Sequence, residues 1–183
     1  MRIERKPQFV KAVMDGPALM DALKEKFGDV ILSSEIRERK AGIADSVCGH
    51  DIWISISTPS FRSFVENLFV YDFVNFHLIS GDDAGDEITL YYHLSLFQRD
   101  RGGRVAVTVS VKIPKSNPSI PSIFDLLPGS EYSERETREA LGIDFTGLPN
   151  KGLVFLPEDW NEEIKPLRRD TEGPSPDDIR ELN

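Results

Sequence analysis

Few side chains in this sequence combine in a way that could do chemistry. The stretch "CGHD" sets Cys48 and His50 two residues apart, the beginning of a metal site or of a thiol–imidazole nucleophile pair. A stable zinc or iron site needs more ligands, and His77 and His93 fall in other segments. The pair therefore reads as structural, and His93, between Tyr91 and Ser95 on one strand face, reads as a hydrogen-bonded histidine. In "PEDW", Glu158 stands beside Asp159, and paired acids can divide acid and base roles when their surroundings differ. Neighbours on a loop are more often solvated, or paired with cations such as Arg168 and Arg169. The glycines of "DRGGR" and "LGIDFTG" lack the strand-to-helix setting of a phosphate loop. The run "SERETRE" reads as a solvated helix face with i,i+4 charge pairs. No catalytic, cofactor-binding or metal-ligating set emerges, and no active site of the chain's own is expected.

The elements that would position these residues are clearer. "DGPALMDALKEKFGD" predicts a helix with Pro17 in its first turn, Leu19, Met20, Leu23 and Phe27 on one face, and Gly28 as its stop. "VILSSEIRERKAG" reads as an extended strand that grows polar toward its end, with a helix as the alternative. "DIWISISTPS" alternates, with Ile52, Ile54 and Ile56 on one side. Thr58-Pro59 is read as the cap and first position of a helix carrying Phe61, Phe64, Val65, Leu68 and Phe69. Two long strands follow, "EITLYYHLSLF" and "RVAVTVSVKI", joined by a turn through Gly102-Gly103. A strand near residues 73–80 is expected to pair with them, with "SGDDAGDE" as the turn.

Composition sets the limits. The 183 residues suit one domain with a real core, and 39% hydrophobic with 29% charged residues marks a folded globular chain. A net charge of −9 argues against nucleic acid as a partner. Cys48 is the single cysteine, which precludes an internal disulfide and suits a reducing compartment. The greasiest run, "LFVYDFVNFHLI", is about half a membrane span and is broken by Asp72, Asn75 and His77, so membrane association is expected only through partners.

At Pro114 the character changes. Nine of the twelve prolines lie in the last 70 residues, a density that favours an extended path. That stretch still carries Phe124, Leu126, Leu127, Phe145, Leu153, Phe155, Trp160 and Leu167, which must be buried on the chain's own domain or on a partner. Ser133 and Glu136 are read as a capping box, Gly142 as a helix stop, and Ser175-Pro176 as the start of a last short helix. The expectation is an α+β fold. One small domain over residues 1–113, with a mostly antiparallel or mixed sheet packed by helices, is followed by an extended proline-rich C-terminal arm over residues 114–183.

The tail also has a recognisable order. Pro121-Ser122, Glu134-Arg135-Glu136, Gly142-Ile143, Phe145, Gly147, Pro149, Leu156-Pro157-Glu158-Asp159-Trp160 and Pro166-Leu167-Arg168-Arg169-Asp170 follow one another over about 50 residues. This resembles the thirty-kilodalton hydrophilic subunit of respiratory complex I and related subunits of membrane-bound nickel–iron hydrogenases. The resemblance implies a subunit without a cofactor, whose arm packs on a hydrogenase-like large subunit. Iron–sulfur clusters, and nickel–iron in some complexes, would reside in partner subunits at the cytoplasmic face of the membrane. It implies partner contacts at Glu134, Arg135, Glu136, Gly142, Ile143, Phe145, Gly147, Pro149, Leu156, Pro157, Glu158, Asp159, Trp160, Leu167, Arg168, Arg169 and Asp170. Arg138-Glu139-Ala140-Leu141 replaces the usual aromatic-Asp-x-aromatic run, Leu148 the usual histidine, and Asn150-Lys151-Gly152 an arginine-rich stretch. These departures lean toward a hydrogenase-type or sulfur-reducing relative driven by ferredoxin.

The expected function is a non-catalytic peripheral-arm subunit of a membrane-bound, complex I-related redox complex, clamping the large subunit and supporting electron transfer coupled to ion pumping. The rivals are a transient assembly factor for such a subunit and an enzyme using Glu158, Asp159 or His50. On the first reading, removing residues 131–183 should leave a folded domain.

Overall fold

Apolar residues at every second position reach a common core only from an extended strand, and the central strands follow that rule. The computed structural model describes residues 13–43, 47–98, 104–169 and 174–175. Strand β4 (Glu87–Leu96) pairs antiparallel with β5 (Val105–Pro114) in unbroken register, from Ile88 opposite Ile113 to Leu96 opposite Val105. Ile88, Leu90, Tyr92, Leu94 and Leu96 face Val105, Val107, Val109, Val111 and Ile113 on one side, all of them buried. The turn expected at Gly102-Gly103 lies outside the described residues.

Three more strands extend this hairpin: β1 (Ile31–Ala41), β2 (Val47–Ile56) and β3 (Asn75–Asp83). The order is β1-β2-β5-β4-β3, with β2 parallel to β5 and the other neighbours antiparallel. The sheet is therefore mixed. Because β3 continues to Asp83, the turn to β4 shrinks from the expected "SGDDAGDE" to a few residues around Gly85, whose φ is +87°.

Helices α1 (Gly16–Phe27), α2 (Phe61–Leu68) and α3 (Glu131–Leu141) cover the apolar face of the sheet. Asp15 caps α1 by accepting from the Ala18 N–H at 2.8 Å, with Pro17 in the first turn where no N–H is needed. Gly28 opens a 3-10 turn with an ordinary helical φ of −50° rather than stopping the chain in a left-handed conformation. Phe27 meets Phe64 edge-on at 5.2 Å, and Phe61 packs on Tyr92 at 4.3 Å, so α1, α2 and the sheet share one core. Thr58 does not cap α2. Residues 58–60 form a 3-10 turn, and the Thr58 hydroxyl donates to the Lys112 carbonyl at 2.7 Å.

The opposite face is polar and aromatic. His93 bonds Ser80 at 2.9 Å through Nε2 and Thr108 at 3.2 Å through Nδ1, and Trp53 stands edge-on to both Tyr91 and His93. Burial holds His93 below the usual histidine range, with His77 nearby adding to the effect. It is a structural histidine.

Past Pro114 the chain does not leave the domain at once. Strands β6 (Ser119–Pro121) and β7 (Asp144–Thr146) pair in parallel. Ile120, Ile123, Leu126, Leu127, Leu141, Ile143, Phe145 and Leu148 join the same buried cluster as the main sheet. The irregular path begins only after Leu148 and is described to Arg169. The short helix expected from Ser175-Pro176 lies outside the described residues.

Candidate docking surface

The site is built on α3. Its N-terminus falls at Glu131, after a 3-10 turn, so Ser133 and Glu136 lie inside the helix and no capping box forms. Instead the helix turns its acids to other uses. Glu134 is fully buried and accepts from the Ser122 hydroxyl, from the Ile123 N–H at 2.9 Å and from the Ser130 hydroxyl at 3.2 Å. Burial pushes its carboxyl above the usual range, and the three hydrogen bonds oppose that push. Glu139, only 2% exposed, accepts from the Val154 and Phe155 N–H groups at 2.8 and 3.0 Å.

Between these acids, Arg135 reaches the same segment from its other backbone groups. It donates to the Gly152 and Leu153 carbonyls, both at 2.9 Å. One helix thus supplies an acceptor for two amides and a donor for two carbonyls of consecutive residues. An irregular segment has no ladder to satisfy its backbone, and these side chains replace one.

The attachment continues along the segment. Arg138 bonds Glu162 at 2.8 Å. The Leu167 N–H donates to the Ala140 carbonyl at 3.0 Å, and Arg168 to the Leu141 carbonyl at 3.3 Å. Both acceptors belong to the last turn of α3, where carbonyls lack helical partners. The helix ends at Gly142, with φ +76°, and a Cβ there would meet the Lys165 side chain at 3.3 Å. The Arg169 N–H finally reaches Asp83 on β3 at 2.8 Å. Residues 152–169 therefore form a strap laid along α3. The helix in turn sits close on β3, for a Cβ on Gly81 would collide with Leu141 Cδ1.

The expected contact residues divide accordingly. Glu134, Ile143 and Phe145 are each 0% exposed; they support the chain's own fold rather than a partner surface. Arg135, Gly142, Leu156, Trp160 and Arg168 are half-buried. The Trp160 indole N–H is satisfied within the strap, by the Ile164 carbonyl at 3.1 Å. Glu136, Gly147, Pro149, Pro157, Glu158, Asp159, Leu167 and Arg169 face outward. Asp170 lies outside the described residues. Sequence reasoning placed Phe155 among side chains needing cover, and it remains 72% exposed, with Leu167 at 61%. It missed Glu139, whose charge in a polar run gives no sign of burial; the signal was its place one turn before the helix stop, facing a segment of unpaired amides.

Comparisons with known proteins agree with one another. The family model for the respiratory-chain NADH dehydrogenase 30 Kd subunit matches residues 54–177. The chain is 38% identical over 168 residues to an NADH-quinone oxidoreductase subunit from Roseiflexus castenholzii, covering 86% of this chain and 84% of that one. It is 35% identical over 123 residues to the membrane-bound hydrogenase subunit beta of Pyrococcus furiosus, covering 67% of this chain and 70% of that one. Its fold is similar to a chain of the archaeal membrane-bound sulfane sulfur reductase, with a TM-score of 0.67 at 20% identity over 86% of this chain and 85% of that one.

Proposed function

The chain belongs to the respiratory-chain NADH dehydrogenase 30 Kd subunit family, and on that premise we propose that it acts as a clamp, without an active site of its own, on a larger redox subunit. It is a subunit of a complex I-related redox complex, the class that includes the hydrogenase and quinone-reducing relatives. The partner in this reading is a hydrogenase-like large subunit at the cytoplasmic face of the membrane, with iron–sulfur subunits beside it. Iron–sulfur clusters, and nickel–iron in a hydrogenase-type complex, belong to those partners. The clamp's work is geometric: electron transfer and ion translocation depend on distances that packed neighbours hold.

One observation carries this reading. A strap fastened to α3 through its backbone presents Phe155 and Leu167 to the outside. Large apolar side chains held outward by a well-bonded segment are what a docking surface needs, because they lose little entropy on binding. The aromatic Phe155 suits an anchor, and Pro157, Glu158 and Asp159 suit the rim.

The test is native purification from detergent-solubilised membranes with identified partners and counted metals. The unsubstituted chain is expected in equimolar amount with a large subunit, iron–sulfur proteins and integral membrane chains. The double variant Phe155→Asp, Leu167→Asp should keep its own thermal midpoint yet be lost from that assembly. Recovery of the variant at full stoichiometry would overturn the clamp.

A further inference from the structure

The Cys48–His50 pair gains a third member in the folded chain. Strands β1 and β2 place Glu38 directly opposite His50 and Lys40 opposite Cys48. Alternation then puts Glu38, Cys48 and His50 on one face, continuing the row that Ile52 begins. One ligand atom from each lies within 4.8 Å of the others.

We propose that Glu38, Cys48 and His50 form a binding site for a borderline-soft divalent metal of the zinc class. A thiolate and an imidazole select such an ion over magnesium or calcium, and the carboxylate adds a third, charged ligand. A fourth position remains for water or an outside ligand, as in three-ligand zinc sites. Metal–ligand bonds of about 2.0–2.3 Å require neighbouring ligand atoms roughly 3.5 Å apart, so the widest separation must close by about 1 Å. Side-chain rotation at the end of a two-stranded ribbon supplies that movement.

The surroundings favour this reading. The Cys48 thiol already donates to Glu38 Oε1 at 3.1 Å, so a proton occupies the place between sulfur and oxygen that a cation would take. Coordination would take the place of that proton and release it to solvent. Lys40 stands 3.5 Å from the other oxygen, Oε2, and can hold the carboxylate with Oε1 turned inward. Arg39, on the opposite face, is paired with Asp51. The His50 ring is set by Gly16, where a Cβ would collide with His50 Cβ. Its Nδ1 accepts from the Gly16 N–H at a long 3.4 Å, a contact that a metal bond at either ring nitrogen would replace.

The site lies on β1, the edge of the sheet opposite to β3 and its strap, so its test is separate from that of docking. The full chain, freed of metal, is titrated with Co²⁺ and then with Zn²⁺. The expected result is a 1:1 complex with a sulfur-to-cobalt charge-transfer band, which zinc abolishes by displacement. Cys48→Ser should remove the band. Glu38→Gln, at an exposed position that leaves folding intact, and His50→Gln should each weaken zinc binding at least about tenfold. No 1:1 phase, or equal zinc affinity in the parent and the Cys48→Ser and Glu38→Gln variants, would overturn the site.

Discussion

Glu134 and Glu139 are neighbours in kind and opposite in purpose. Both are buried acids of one short helix. Glu134 ties the helix to the segment before it, at Ser122 and Ile123, whereas Glu139 ties it to the strap behind it. The raised carboxyl of Glu134 has a consequence for stability. Its folded form keeps a proton at pH values where the unfolded chain has lost it. Its contribution is therefore full below its ordinary value of 4.5 and declines as pH rises through the raised folded value. Glutamine can keep all three contacts, with its carbonyl accepting from Ile123 and Ser130 as before and the Ser122 hydroxyl reversing to accept from the amide. The stability of the parent relative to Glu134→Gln should fall with rising pH across that window, by about 1.4 kcal/mol for each unit the carboxyl is raised. Thermal melts of both chains from acid to neutral pH check this; a difference that grows with pH would refute it. At this scale the sequence was least legible. A glutamate in "SERETRE" looks solvated because charge normally is, and only the fold reveals donors around it.

Elements were read more reliably, for a physical reason. The β4–β5 hairpin announces itself through five apolar residues at alternate positions in each strand, and the register matches them face to face. The tail was harder. Proline density predicted an extended path from Pro114, yet α3 runs for 11 residues within it, and proline density does not say which apolar side chains return to the core. Ile120 to Leu148 return, and α3 with them. The division matters for truncation. Ending the chain at residue 130 removes α3, Ile143, Phe145 and Leu148 from the core, and each large side chain lost costs about 2–5 kcal/mol. That chain should fail to fold cooperatively. Ending at residue 148 spares the buried cluster and removes the irregular path with its bonds to α3, to Asp82 and Asp83 on β3 and to Asp144 on β7. This shorter protein should melt cooperatively and fail to assemble. Calorimetry and co-purification on the two chains decide the matter; a cooperative melt of the 130-residue chain would contradict the shared core.

Across the whole molecule, charge and topology govern how it meets a membrane. No helix among the described residues is long and apolar enough to cross one. With a net charge of −9, the chain as a whole is repelled by anionic lipid. Attachment through partners alone predicts that chaotrope or alkaline carbonate releases it from membranes without detergent, while integral subunits stay behind. Fractionation followed by immunodetection reads this directly, and retention in the washed pellet would require a membrane contact of its own. The family-level resemblance was legible in the tail's residues, and several of them have defined tasks: Arg135 and Arg168 satisfy backbone carbonyls, and Gly142 takes a positive φ. The metal-class cluster was not, since Glu38 meets Cys48 and His50 only through strand register.

The parallel pairing of β2 with β5 bears on how the protein is made. Ser55 finds its neighbour Ser110 only after α2, β3 and β4 have been synthesised between them. At about 5–20 residues per second, the ribosome leaves the inner edge of β2 unpaired for roughly 3–11 s. During that interval the β1–β2 ribbon exposes Ile52, Ile54 and Ile56, an alternating apolar row open to pairing with another nascent chain. Emergence of β5 closes that hazard, and the strap can be laid only later, when α3 is already in place.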